Sequence, residues 1–104
     1  RAQDMTRALL AGISANRARY VVLDVTGVPV VDTGVAQHLS RTIQAARLKG
    51  AQTIVTGISD SIAETIVDLG MDWNDIETQR DLQSGLLSVM NRLYEKTTHE
   101  LTVN

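Results

Sequence analysis

The chain has 104 residues, 43% of them hydrophobic, with 10 Lys and Arg against 12 Asp and Glu for a formal net charge of -2, and no cysteine. That is one domain with a modest core, and its charge balance offers no basic field for the phosphate backbone of a nucleic acid. The missing thiols exclude disulfides, cysteine catalysis and thiolate metal sites, and no apolar run nears the roughly 20 residues of a membrane span, so a cytoplasmic protein away from the membrane is expected.

Ala2 to about Asn16 places Met5, Leu9 and Ile13 four residues apart with Leu10 beside them, the stripe of an amphipathic helix. Tyr20 to Val25 is almost entirely apolar, as expected of a strand covered on both faces in a parallel sheet. Gly27 and Pro29 then lead to Asp32 and Thr33, which open a second helix running to Lys49. Its Val35, Leu39, Ile43 and Ala46 share one side, and Gly50 stands where a left-handed stop belongs. Thr53 to Thr56 reads as a strand, and Ser59 or Asp60 can cap a helix whose Ile62, Ile66 and Leu69 align before Gly70 ends it. A short strand is expected near Ile76 to Thr78. Asp81 caps a last helix, with Leu82, Leu86, Val89, Met90 and Leu93 facing inward until the polar tail from Lys96; Leu93 and Tyr94 are expected in the core. Alternating helix and strand predicts an α/β domain with parallel strands and right-handed crossovers, undivided by any repeat or linker.

Few residues could carry chemistry. His38, read as a surface or rim residue within a helix, and His99 in the tail have no second ligand at metal spacing. Asp24 and Asp32 could be paired carboxylates, but a strand and a proline bend separate them, and acid-base work needs convergence. The acidic pair, acceptor aspartate and later lysine of a phosphoacceptor receiver domain are not all there. The glycines Gly27, Gly34, Gly50 and Gly57 are isolated and form no phosphate cradle. No cofactor or metal is implied. Thr33 stands at a helix start, where unpaired N–H groups and the positive dipole end converge. Asp and Thr are both favoured N-caps, so capping alone accounts for the pair. Gly34 costs roughly 1 kcal/mol against Ala in a helix yet leaves open space beside the hydroxyl, which suits an approaching kinase or partner. On the residues alone both readings stay open.

The strings DVTGVPVVDTGVAQHL and VTGISDSIAETIVDLGMD, with the interval between them, resemble the STAS domain (sulphate transporter and anti-sigma factor antagonist) of stressosome proteins, specifically the RsbR type. The likeness spans essentially the whole chain. It implies a single STAS domain over residues 1–104, from the C-terminal part of a longer protein, with a small parallel-rich sheet and helices packed against it. It further implies phosphorylation at Thr33 by a serine/threonine kinase of the RsbT type; RsbS-like relatives carry Ser at that place, so Thr favours the RsbR side. Regulation by partner exchange without catalysis follows: such domains associate with one another and with RsbS-like STAS proteins in a large assembly that holds the kinase until stress releases it. Asp32, Thr33 and Gly34 are the expected partner contacts, joined by Ser59 and Asp60 at the next strand-to-helix loop, because ligands of open α/β sheets gather at the carboxyl ends of strands.

One departure stands out. STAS domains of this type carry strands ahead of the first helix and a second phosphorylatable Thr just before it, whereas Arg1 already stands at the helix start. The sheet is therefore expected to have an exposed edge. A small free anti-sigma factor antagonist of the same fold is the alternative function. A hydrolytic site at Asp32 and Thr33 ranks behind both, for want of a base to activate the hydroxyl.

Overall fold

The computed structural model describes residues 2–28, 33–74 and 76–102, with side chains placed for 6–28, 34–74 and 76–95. Its elements are α1 (Ala2–Asn16), β1 (Tyr20–Asp24), α2 (Thr33–Leu48), β2 (Gln52–Thr56), α3 (Asp60–Asp68), β3 (Glu77–Gln79) and α4 (Leu82–Thr102). The strands form one parallel sheet in the order β1-β2-β3, with Val22 opposite Ile54 and Ile54 opposite Glu77. The expected alternation is thus realised. Up to the start of α4, boundaries differ by a residue or two, for local reasons. The Val25 N–H still donates to the Thr56 carbonyl at 2.9 Å, but the chain then turns, with the Val28 N–H on the Val25 carbonyl at 3.0 Å.

Helix ends follow the cap residues read from the sequence. The Ser59 hydroxyl accepts from the Ile62 N–H at 3.2 Å and an Asp81 carboxylate oxygen accepts from the Ser84 N–H at 2.8 Å. Beyond Gly50 and Gly70, both with positive φ, the Ala51 N–H reaches back to the Ala46 carbonyl and the Met71 N–H to that of Ile66.

Strand alternation divides the core. Leu23, Val25 and Val55 pack with Ile43 of α2 and with Ile62 and Ile66 of α3. Val21 joins Ile13 of α1 and Ala46 of α2. On the opposite face Val22, Ile54 and Thr56 meet α4 at Gly85. The strand covered on both faces is β2, whose Thr53, Ile54, Val55 and Thr56 are all buried. Sequence pattern assigned that place to β1. Instead β1 is an edge strand among the described residues, half-buried from Tyr20 to Leu23, because only β2 pairs with it.

The last helix departs most from expectation. It continues to Thr102 rather than ending near Lys96, and of the apolar residues expected inside only Val89 is half-buried while the others are exposed. Leu82 and Leu93 are 43% and 44% exposed, Leu86 47%, Met90 64% and Tyr94 72%. The reason is the seat: α4 lies on the sheet through Gly85, while Ser88 and Arg92 reach Glu77 of β3. At about 100° per residue, Leu82, Leu93, Leu86 and Met90 lie progressively round the helix from Gly85, on the side away from Glu77. That side looks toward the unpaired edge of β1, so a further strand on that edge would lie beneath this stripe.

Gly12 gives a simple stability test. It lies within α1, and a Cβ there would meet nothing within 4 Å. Gly12→Ala is therefore expected to raise the unfolding free energy by about 0.5–1 kcal/mol through helix propensity, read as a higher denaturant midpoint at unchanged slope.

Candidate partner-docking rim

The carboxyl ends of β1 and β2 form one rim, from which the loops to α2 and α3 leave. Parallel pairing sets Asp24 opposite Thr56 at the last rung. The Asp24 Oδ1 accepts from the hydroxyls of Thr26 at 2.8 Å and of Thr56 at 2.9 Å. Thr56 is wholly buried, whereas Asp24 and Thr26 are exposed, so one carboxylate ties a core hydroxyl to a loop hydroxyl. The Thr26 hydroxyl, then that of Thr56, hold the Asp24 carboxyl below its ordinary value; partial desolvation opposes them, and a Thr26 backbone contact adds to the lowering. A carboxylate held so is a weak base.

Gly57, the first residue after β2, brings the second loop against the first. Its φ is +76°, and a Cβ there would overlap the Thr26 hydroxyl, lie 2.8 Å from Asp24 Oδ1 and 2.9 Å from the Thr26 nitrogen. Only glycine fits, on both backbone and steric grounds. Two residues on, Ser59 caps α3, and Asp60 begins the helix exposed to solvent. Of the two cap candidates the hydroxyl does the capping, which leaves the Asp60 carboxylate at the surface.

Thr33 is the first residue of α2, and Gly34 beside it is exposed. Asp32 and the Thr33 side chain lie outside the described residues. The rim therefore gathers the backbone of Thr33 with Gly34, Ser59 and Asp60, all at helix starts above the same sheet end. Asp24 and Thr26 were not among the expected contacts. A Thr two residues after an Asp was a visible hint, but the link to Thr56, 32 positions away, depends on strand register.

His38 is half-buried, within its reading as a surface or rim residue. Its Nε2 lies 3.1 Å from the Thr6 hydroxyl, which is 2.9 Å from that of Thr42, in the seam between α1 and α2. His99 lies outside the described side chains. Among the described residues no group of three His, Cys, Asp or Glu could hold a metal ion, and no helix is long and apolar enough to cross a membrane.

A parallel sheet with helices on both faces and a glycine-tight rim above β1 and β2 defines a small α/β module with helix starts gathered at one end. The sequence profile of the STAS domain matches residues 1–85, and the chain belongs to that family. It is 42% identical over 90 residues to the RsbT co-antagonist protein RsbRA of Bacillus subtilis, covering 86% of this chain and 33% of that protein. RsbRD of the same organism, also an RsbT co-antagonist, is 38% identical over 86 residues, 83% of this chain and 31% of that protein. The chain thus spans about a third of the length of these curated relatives. Among solved structures, a chain described in the molecular architecture of the stressosome, a signal integration and transduction hub, superposes with a TM-score of 0.78 at 28% identity. The match covers 88% of this chain and 80% of that one. An RsbS of Moorella thermoacetica carrying a serine-to-glutamate substitution matches with the same TM-score, identity and coverage.

Proposed function

We propose that this chain is the STAS module of an RsbR-type stressosome protein. In this reading it packs with an RsbS-like STAS partner into a large cytoplasmic assembly, holds an RsbT-type serine/threonine kinase there, and is switched by phosphorylation at Thr33. The observation that carries the reading is the 42% identity to an RsbT co-antagonist, reinforced by likeness to a stressosome chain. Thr33 at the first position of α2, beside the exposed Gly34, supports the switch. A phosphate there adds about -1.5 to -2 charge at pH 7, which the helix dipole tolerates and neighbouring Asp32 opposes. Its main effect then falls on whatever packs over Gly34, so binding changes without refolding.

Incubation with an RsbT-type kinase, MgATP and an RsbS-like STAS protein, followed by mass spectrometry, tests this. One phosphate is expected on Thr33 and none in Thr33→Ala. Phosphate on the RsbS-like protein with none on Thr33 would leave this residue a helix cap. Light scattering of the same mixture separates the alternative: only the stressosome reading gives very large particles, whereas a free anti-sigma factor antagonist stays small.

A further inference from the structure

The apolar side of α4 has two levels. Leu82, Leu93 and Leu86 stand about 60–100° round the helix from Gly85, low enough for a further strand on the β1 edge to reach them. Leu87, Met90 and Tyr94 stand about 140–200° round, pointing away from the sheet, and are 56%, 64% and 72% exposed. A strand added in the plane of the sheet touches none of these three. Together Leu86, Leu87, Met90, Leu93 and Tyr94 make one continuous apolar patch on the order of 500 Å², as large as the largest patch of an ordinary monomer, and patches of that size mark interaction sites.

We propose that this patch is a dimerisation surface, on which α4 packs antiparallel against α4 of a second copy about a two-fold axis at Met90. The spacing selects a second copy. Leu86 and Leu93 straddle Met90 by four and three residues, and Leu87 and Tyr94 by three and four. Reversing one helix therefore sets Leu86 against the partner's Leu93, Leu87 against the partner's Tyr94 and Met90 against the partner's Met90, the self-complementarity that an isologous contact requires. Charge agrees with this occupant. Between Leu82 and Glu95 the only charged residues are Arg92 and Glu95. Arg92 turns to Glu77, and Glu95 stands about 280° round from Gly85, on the β3 side, so neither enters the patch or opposes its copy there. A charged partner finds nothing to pair with, whereas a formal net charge of -2 sets up little repulsion between copies. Two such patches bury on the order of 1,000 Å² in all, the lower end of the range for specific interfaces, so the dimer is a weak and reversible one. Because the centre of the patch is turned away from the sheet, the two sheets diverge below the paired helices and neither β1 edge is used.

Sedimentation equilibrium of the chain over about 10–500 μM, a range suited to an interface of this size, tests the proposal. The mass is expected to rise from 11.3 kDa toward twice that value. Met90→Glu and Met90→Lys each set like charges together at the axis and should weaken association by about 100-fold or more. Met90 is exposed, so both should keep the wild-type urea midpoint, measured where all are monomeric. Mixed in equal amounts, the two variants place opposite charges at the axis and should restore the dimer. Should either not fold, Tyr94→Glu and Leu87→Lys, which meet across the same axis, take their place. A wild type that stays at 11.3 kDa throughout overturns the proposal, and retention of an RsbS-like STAS protein by the same patch would then name another occupant. So does a dimer that survives Met90→Glu, a mixture that stays monomeric, or a mass above two copies, since isologous pairing closes at two. The experiment needs no kinase, and none of these outcomes bears on phosphorylation of Thr33.

Discussion

Gly85→Leu is expected to lower the unfolding free energy by about 3 kcal/mol and to loosen α4 from the sheet. A Cβ on Gly85 would stand 2.5 Å from Thr56 Cγ2 and 3.2 Å from Val22 Cγ1, with Ile54 Cγ2 at 3.8 Å. Thr56 and Ile54 are fully buried strand residues, so neither can swing aside. Overpacking of this kind costs about 1–3 kcal/mol, and a branched side chain sits at the upper end. Even Gly85→Ala should destabilise. Its helix propensity gains about 1 kcal/mol, but the overlap with Thr56 is close enough to outweigh that. Urea unfolding checks both, with Gly12→Ala as the counter-case in which the same substitution meets open space. A stable Gly85→Leu variant with native exchange protection in α4 would refute this packing.

The second large effect concerns Glu77, which pins α4 from the β3 side. Its Oε2 accepts from the Ser88 hydroxyl at 2.8 Å and from the Gln79 amide at 3.3 Å, and Oε1 pairs with Arg92. The side chains of Glu77 and Arg92 are only 19% and 33% exposed, and one further guanidinium nitrogen of Arg92, Nη1, is buried without a hydrogen-bond partner. Glu77→Ala would strand that cation and two further donors, at a cost of about 2 kcal/mol once partial solvent screening of Arg92 is allowed for. Adding Arg92→Ala should restore part of the loss, because the unpaired charge disappears.

Acidity acts on the same contact. Desolvation pushes the Glu77 carboxyl upward, but donation from Ser88, Gln79 and Arg92 outweighs it and leaves the group below its ordinary value of 4.5. A carboxyl lowered in the folded state binds its proton less readily there than in the unfolded chain. Its contribution is therefore fully present above about pH 4.5 and is lost as pH falls through the lower folded value. Asp24, held down mainly by Thr26, and Asp81, held down mainly by the Ser84 N–H, act in the same direction. Denaturation midpoints should fall steeply below pH 4.5 in the wild type and less steeply in Glu77→Ala. Equal slopes would show that Glu77 is not the group responsible.

Some of this was legible one element at a time. Met5, Leu9 and Ile13 announce α1, the capping residues Ser59 and Asp81 start α3 and α4, and Gly50 and Gly70 mark where α2 and α3 stop. Helix and strand in alternation give parallel strands, and the string from Asp24 to Leu39 carries the family likeness. These signals are local: a cap, a stop or a periodic stripe involves residues within a few positions of each other.

What the sequence could not show was which face each element presents and what it meets there. The stripe Leu82, Leu86, Met90 and Leu93 has the period of a core-facing helix, yet a glycine between the leucines is where α4 touches the sheet, and the stripe is turned toward the open edge of β1. Periodicity states that an apolar side exists, while the seat depends on side chains of Val22, Ile54 and Thr56 that stand 29 to 63 positions away in the chain. The same holds at the rim. Sequence spacing gave no reason to pair Asp24 with Asp32 and no hint of its distant partner: parallel register places it opposite Thr56, so that it accepts from both the Thr26 and the Thr56 hydroxyls. Element order, caps and family came from neighbours in sequence; the seat of α4, the edge position of β1 and the Asp24 link came from contacts that only closure of the sheet brings together.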